Sequence, residues 1–386
     1  MRSLCRKDLP KIPVTANNGK LLHTPDFNSP LATHLPNSSS RLASPTPIKT
    51  VLVTGANGYF LASHIVKQLL DRGYSVHACV RNKDNQSSVQ HLLDIPSSTG
   101  KLTLFSTGDM ADKSLAGRYN TPLTGCEAVI HAATPLSPKL APGIEFDGER
   151  DMLNPGMAGT HEILNSIAKC PSVRRLVLTS SMSAAAPRPE PAIKDESHWS
   201  DDVGQLSRSN YYGCLKTRQE RLCHEWTKSQ NEQGRSIKFS AICPTMILGP
   251  PVGFGQEGYT YKPSGTMRSL YRWITGGRTT APNDSMSFIH VVDCAAMHVA
   301  AMENEDASGR YFSLVESLHW NDLLHILKEL FPDIALEEKF MYEGSDIVTP
   351  TKFNLDKMNS LGVDVKSIKE ILKESVDFFK AVGALK

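Results

Sequence analysis

The 386-residue chain lacks any strong excess of charge, with 42 Lys and Arg against 40 Asp and Glu and a net charge of +2. That balance gives no basis for expecting nucleic acid or an anionic membrane surface as a partner. No apolar run approaches the length needed to span a bilayer, so a membrane partner is not expected either. Paired cysteines are also missing. The eight cysteines are scattered without a C-x-x-C pair, which argues against a disulfide frame or a zinc site and for reduced thiols serving as core filler. Internal repeats are absent. What is present is an ordinary globular composition, 40% hydrophobic and 21% charged, on a chain long enough for one large domain or two intimate ones.

Residues 1–48 differ from the rest. They carry seven prolines, many Ser, Thr and Asn, and only Asp8 and Asp26 as acids. No amphipathic period survives the prolines, so the segment reads as a disordered extension. A basic, Ser-rich, acid-poor leader is also the composition of an organelle transit peptide. The localisation expected is cytoplasmic, with a plastid as the alternative if residues 1–48 are such a peptide.

From Ile48 onward, short β-branched runs alternate with helical patterns. The predicted strands cover 48–54, 75–80, 101–107, 127–133, 173–181 and 237–243. Apolar residues at helical spacing lie between them, as in Leu61, Ile65 and Leu69, then Met157 to Ile167, then Leu215 to Trp226. Strand–helix–strand alternation of this kind predicts an α/β fold with a Rossmann-type, doubly wound parallel sheet. Ligands on such sheets bind at the carboxyl ends of the strands. After Pro244 the pattern loosens into Gly/Pro-rich loops before helices return around 291–303, 320–331 and 366–381. The expected division is a nucleotide-binding domain over 49–245 and a smaller substrate-binding lobe over 246–386, with strands exchanged between them.

The first strand runs into "TGANGYFLASH", residues 54–64. Gly55 and Gly58 supply the tight turn and the close backbone approach that a pyrophosphate needs, and the following helix points its positive end at the anion. Asn57, Tyr59 and Phe60 complete the turn. The second strand ends "CVRNKDN", where Arg81 and Lys83 stand in the place an acid usually takes to hold the adenosine ribose hydroxyls. Cations there suit a 2′-phosphate, so NADPH is favoured over NADH. Asp109 and Met110, after the third strand, are candidates for the adenine side of the same site.

The strongest signal is "NYYGCLK", residues 210–216. Tyr212 and Lys216 are four apart and share one face of a helix. A phenol is a weak acid at neutral pH, and a neighbouring ammonium is expected to lower its pKa towards general acid/base strength. Ser181, 31 residues before Tyr212 and at the end of a predicted strand, can hydrogen-bond the same carbonyl oxygen. "FIHVVDCAAMH" also invites a metal reading through His290, Asp293 and His298, but these residues are better explained as hydrogen-bonding anchors of a helix, and no metal is expected.

Taken together, "VLVTGANGYFLASHIVKQLLDRGYSVHACVR", "VIHAATPLSP", "LNPGMAGTHEIL", "RRLVLTSSMSA", "NYYGCLK", "CPTMILGPP" and "ASGRYF" resemble the extended short-chain dehydrogenases/reductases. The nearest group is that of dihydroflavonol reductases, cinnamoyl-CoA reductases and aldehyde/ketone reductases. The resemblance spans roughly residues 49–386. It implies an NADP-dependent oxidoreductase in which Ser181 orients the carbonyl, Tyr212 gives the proton, and Lys216 holds the nicotinamide ribose as well. Ala132, Ala133 and Thr134 would line the cofactor, and Pro244, Thr245 and Ile247 would close over the nicotinamide. Asn154 lies near a position that joins the proton relay in some relatives. The implied reaction is reduction of an aldehyde or ketone to an alcohol by a monomer or homodimer. A hydroxysteroid dehydrogenase/isomerase or a sugar-nucleotide epimerase uses the same machinery, and a non-catalytic nucleotide sensor is a third possibility.

Two departures from the group stand out. The asparagine that grips a flavonoid five residues beyond the catalytic serine is replaced by Ala186, and "NYYGCLK" shares only its Asn, Tyr and Lys with the cinnamoyl-CoA reductase signature. Aligned on "FLASHIVKQLL", Ala62 takes the third small position of the glycine turn, which makes the turn one residue longer, most simply by Tyr59.

Overall fold

The computed structural model describes residues 47–58, 60–95, 100–112, 114–136, 144–254, 265–277, 280–334 and 341–385. The segment 1–46, on which the extension and transit-peptide readings rest, lies outside the described residues, as does Tyr59. Residues Pro47–Lys386 form one compact unit.

The chain begins with β1 (Thr50–Thr54), α1 (Leu61–Asp71), β2 (Ser75–Val80), α2 (Gln86–Leu93), β3 (Lys101–Ser106) and β4 (Ala128–His131). A single π-turn, Glu149–Leu153, leads into α3 (Asn154–Ala168), followed by β5 (Arg175–Thr179) and a short 3-10 turn, Met182–Ala184. Next come β6 (Ile193–Lys194), α4 (Asp202–Ser207), α5 (Tyr211–Glu232), β7 (Lys238–Pro244) and β8 (Met246–Leu248). The remainder is α6 (Gly265–Ile274), β9 (Ser285–His290), α7 (Val291–Glu303), β10 (Gly309–Ser313), β11 (Ser317–His319), α8 (Trp320–Leu330), β12 (Lys352–Phe353), α9 (Asp356–Asn359) and α10 (Ile368–Ala381).

Seven strands pair in parallel in the order β10-β7-β5-β4-β1-β2-β3, the doubly wound arrangement expected. Alternation along β1 explains how both faces are covered. Val51 and Val53 point into a core shared with Ile65 and Leu69 of α1 and Val299 of α7, while Leu52 joins Ile163 of α3 and Cys223 of α5 on the other face. All three β1 residues are fully buried. The order reverses beside β1, between β2 and β4, and the carboxyl ends of these strands carry the loops that matter below.

A second core lies beyond β7. Met246 and Leu248 of β8, Phe288 of β9, Ile371 and Phe379 of α10 and the stacked rings of Trp273 and Trp320 (5.0 Å between centroids) build it. β8 and β9 run parallel, and β11 completes that small sheet in antiparallel. One strand from this later part of the sequence, β10, joins the large sheet beside β7. No helix among the described residues is long and apolar enough to cross a membrane.

Candidate active site

At the first crossover, Gly55 adopts φ +63°, a left-handed conformation, and a Cβ on it would lie 2.9 Å from Ala133 Cα. Only glycine fits there without strain. Gly58 N donates to Gly55 O (2.9 Å), closing the turn, and Ser63 returns two bonds to Gly58 O from its amide (3.3 Å) and its hydroxyl (2.6 Å). Phe60 precedes the helix with φ −118°, ψ −106°, outside helical values, so the chain makes a further bend before α1 starts. Ala62 is buried, 3.7 Å from where a Gly58 Cβ would be, and so occupies the close-packing position assigned to it. Leu61 is buried in the core beside it. Asn57 is half-buried and Gly58 exposed on the loop. α1 begins at Leu61, directly after this turn.

The strand ends bring the other expected groups to the same rim. Arg81 follows β2 and Asp109 follows β3; their side chains lie 3.9 Å apart, and both are more than half exposed. Lys83 is exposed, its amide donating to Ser106 Oγ (2.9 Å). Met110 is half-buried with its methyl against Gly159 of α3, where a Cβ would come within 2.1 Å of it. Ala132, Ala133 and Thr134 follow β4 and are half-buried. Ala133 N donates to Thr54 Oγ1 (3.1 Å), and Thr54 in turn pairs with the buried His131 (2.7 Å), so the β1 and β4 loops are held by one hydroxyl. Pro244 is buried at the end of β7, Thr245 N donates to Ser313 O (3.2 Å), and Ile247 is half-buried in β8.

Ser181, Tyr212 and Lys216 lie near one another at the ends of β4 and β5. Ser181 stands just past β5 as N-cap of the 3-10 turn, where Oγ accepts from Ser183 N (3.1 Å). Asn210 caps α5 by accepting from Gly213 N (3.0 Å), which sets Tyr212 in the first turn of that helix. The Ser181 hydroxyl is the side chain that acts on the Tyr212 phenol. Lys216, one turn on and almost fully buried, donates to Thr134 Oγ1 (2.7 Å) and Thr179 O (2.8 Å) and stands 5.9 Å from the Tyr212 ring centroid.

One electrostatic expectation needs correction. The Tyr212 phenol is not lowered overall. Burial pushes it above the usual tyrosine value, with Ser181's hydrogen bond pulling the other way. The same burial lowers Lys216 to about 8, which Glu220 partly opposes. The ammonium spends its hydrogen bonds on Thr134 and Thr179, and the desolvation of the phenol itself decides the direction of its shift.

Asn154 is exposed at the start of α3, after the π-turn. Ala186 is exposed beyond Ser181 and donates its amide to Ser200 Oγ (2.8 Å). His290, Asp293 and His298 have separate tasks. His290 caps α7, Asp293 accepts from Lys366 N (2.8 Å), and His298 pairs with Thr179 Oγ1 (2.8 Å). Among the described residues no three His, Cys, Asp or Glu side chains gather as a metal site. The seven described cysteines are unpaired thiols.

Sequence reasoning missed Glu220 and Arg310. Glu220 is fully buried, accepting from Ser180 Oγ and Arg310 Nε, each at 2.5 Å. The spacing Tyr212, Lys216, Glu220 repeats a step of four and was the available signal.

A seven-stranded doubly wound sheet with a glycine turn at its first crossover and a Ser–Tyr–Lys group beside it defines a dinucleotide-dependent dehydrogenase/reductase. The pattern described as "NAD dependent epimerase/dehydratase family" matches residues 51–314. A cinnamoyl-CoA reductase of Medicago truncatula is 32% identical over 351 residues, covering 89% of this chain and 98% of the relative. The bifunctional dihydroflavonol 4-reductase/flavanone 4-reductase of Malus domestica is 30% identical, covering 87% and 92%. In fold the chain is similar to the yeast methylglyoxal/isovaleraldehyde reductase Gre2, whose structure was determined with NADPH (TM-score 0.70, 22% identity, 87% of this chain and 100% of that one). The chain belongs to the NAD dependent epimerase/dehydratase family, in its extended short-chain dehydrogenase/reductase form. The expected oxidoreductase agrees with these comparisons, since the relatives are reductases.

Proposed function

We propose that the protein reduces an aldehyde or ketone to an alcohol with NADPH as reductant. The observation that carries this reading is the placement of Tyr212. Its phenol stands in the first turn of α5, beside Ser181 at the end of β5 and with the Lys216 ammonium 5.9 Å from its ring centroid, the arrangement in which a phenol can give a proton to a carbonyl oxygen. Lys216, lowered only to about 8, remains cationic at neutral pH and stabilises the phenolate left after the proton is given. Ser181 orients and polarises the carbonyl oxygen.

The glycine turn supports dinucleotide binding, because Gly55 lets the turn after β1 pack directly on the β4 loop, where a Cβ would lie 2.9 Å from Ala133 Cα. Gly55, Asn57, Gly58 and Phe60 would hold the pyrophosphate, Arg81 and Lys83 the 2′-phosphate, and Lys216 the nicotinamide ribose. When bound, NADPH supplies the hydride. The names of the relatives favour reduction over epimerisation, and they make a CoA thioester the second carbonyl class to test beside free aldehydes and ketones.

Tyr212→Phe is expected to lower turnover by about a hundredfold or more, the range of general acid catalysis, while NADPH binding persists. Loss of NADPH absorbance across a panel of carbonyls, together with a fluorescence titration of NADPH, measures both. A phenylalanine variant that turns over like the parent would sink the assignment.

A further inference from the structure

The Ser–Tyr–Lys group does not account for the buried charge beside it. Glu220 lies on α5 one turn beyond Lys216 and has no exposed surface. Its carboxylate oxygens are divided, Oε2 accepting from Ser180 Oγ and Oε1 from Arg310 Nε, both at 2.5 Å. Arg310 comes from β10, is 4% exposed, and spends its remaining donors on backbone carbonyls. Nη2 donates to Ala184 O (3.0 Å), and Nη1 to Glu196 O (3.1 Å) and His198 O. The Trp199 ring covers the guanidinium at 3.9 Å.

Ser180 and Ala184 flank Ser181 at either end of its turn. Glu220 grips one flank and Arg310 the other, while Glu220 shares a helix with Tyr212 and Lys216. A buried ion pair is poor evidence for added stability, because desolvation of both charges opposes their attraction. This pair has another use: it connects the serine's turn to the helix bearing the tyrosine and lysine through two planar groups joined by a charge-assisted bond.

We propose that Glu220 and Arg310 are a positioning pair that sets the Ser181–Tyr212–Lys216 geometry and keeps a negative charge one turn from Lys216. The inference deepens the carbonyl-reductase reading and rests on it. The groups facing Lys216 are Glu220 and Cys223 of its own helix, His131 of β4, Cys243 of β7 and His298 of α7. His131 and His298 are buried and neutral, so Glu220 is the counter-charge among them.

The test compares Glu220→Gln and Ser180→Ala with the full-length parent. Ser180→Ala removes one hydrogen bond to a charged group and keeps the Glu220 charge. Its kcat is expected to fall about tenfold with the KM for NADPH unchanged. Glu220→Gln should show that loss and also move the alkaline limb of the kcat–pH profile to lower pH, because Lys216 then gives up its proton more readily. Hydrogen exchange of the segment 180–186 should quicken in both variants, a readout that needs no turnover. If Glu220→Gln does not fold, Ser180→Ala carries the test. Unchanged exchange across 180–186, or a Glu220→Gln pH profile that superimposes on the parent's, would overturn the proposal. A parent inert towards every carbonyl would instead count against the reductase reading, and the exchange result would still decide the pair.

Discussion

At the end of β2 the Arg81 guanidinium stands 3.9 Å from the Asp109 carboxylate, with more than half of each side chain in solvent. An exposed pair of this kind is worth little to stability, so the guanidinium is free to turn to a better anion. A phosphate accepting from it gains a charge-assisted bond that an adenosine hydroxyl does not. Arg81→Ala should therefore weaken NADPH by about tenfold, the loss of one such bond, and leave NADH nearly unchanged. Titration of the two nucleotides against protein fluorescence measures the ratio; equal losses would contradict this cofactor choice. Arg81 was legible in the sequence because a strand end in an alternating α/β chain has a known place in the fold. The ionisation of Tyr212 was not legible in this way. The four-residue step to Lys216 could be read from spacing alone, but the burial that raises the phenol depends on how the tyrosine's helix meets β5 and its serine turn, and no local pattern encodes that.

Among the elements, the turn between β1 and α1 is the most constrained. Gly55 combines a left-handed backbone with a 2.9 Å approach to Ala133, so a methyl group there meets backbone rather than a movable side chain. Gly55→Ala is expected to cost about 1–3 kcal/mol of stability and to lower nucleotide affinity as the β4 loop is pushed aside. Urea unfolding with and without NADPH tests both, and a variant as stable as the parent would show that the turn yields more easily than its geometry implies. The six strands read from β-branched runs are all present, each within about two residues of its expected ends, as boundary uncertainty allows. α7, with its alternating large and small apolar residues, begins at the first expected position and ends at the last. β10 was not recognised as a strand. Its sequence, GRYFS, is short, carries an arginine, and pairs with β7 at a constant separation of 69 residues, from Gly309–Ser240 to Ser313–Pro244, rather than through a local signal. The Arg310–Glu220 contact was hidden for the same reason, since it joins positions 90 apart.

For the molecule as a whole, buried histidines set the response to acid. Burial holds His131 at about 3 and His64 and His298 at about 4. In the unfolded chain a histidine takes up its proton near pH 6.5. Between about pH 6.5 and about pH 4 the unfolded state therefore binds more protons than the folded one, and stability falls as pH falls. Glu220 and Asp293, whose carboxyls burial raises, act in the opposite sense at the lower part of that window. With six histidines in deficit, since His91, His224 and His290 are also held at about 4, the net expectation is a lower melting temperature at about pH 5 than at about pH 7.5. Differential scanning calorimetry across that range checks it, and a flat profile would mean that the carboxyls balance the histidines.

The place of β10 has a consequence for how the protein comes into being. Until residue 313 has left the ribosome, β7 is an open edge of hydrogen-bonding groups at the border of the large sheet. The nucleotide turn, Tyr212 and Lys216 have all been synthesised by then, yet the strand that supplies Arg310 has not. A nascent chain can thus form its cofactor cradle early, whereas the tie between the serine turn and its helix must wait for a distant strand. Maturation of this active site is in that sense a late event of biogenesis, and the interval before it is when the growing sheet most needs protection from its neighbours.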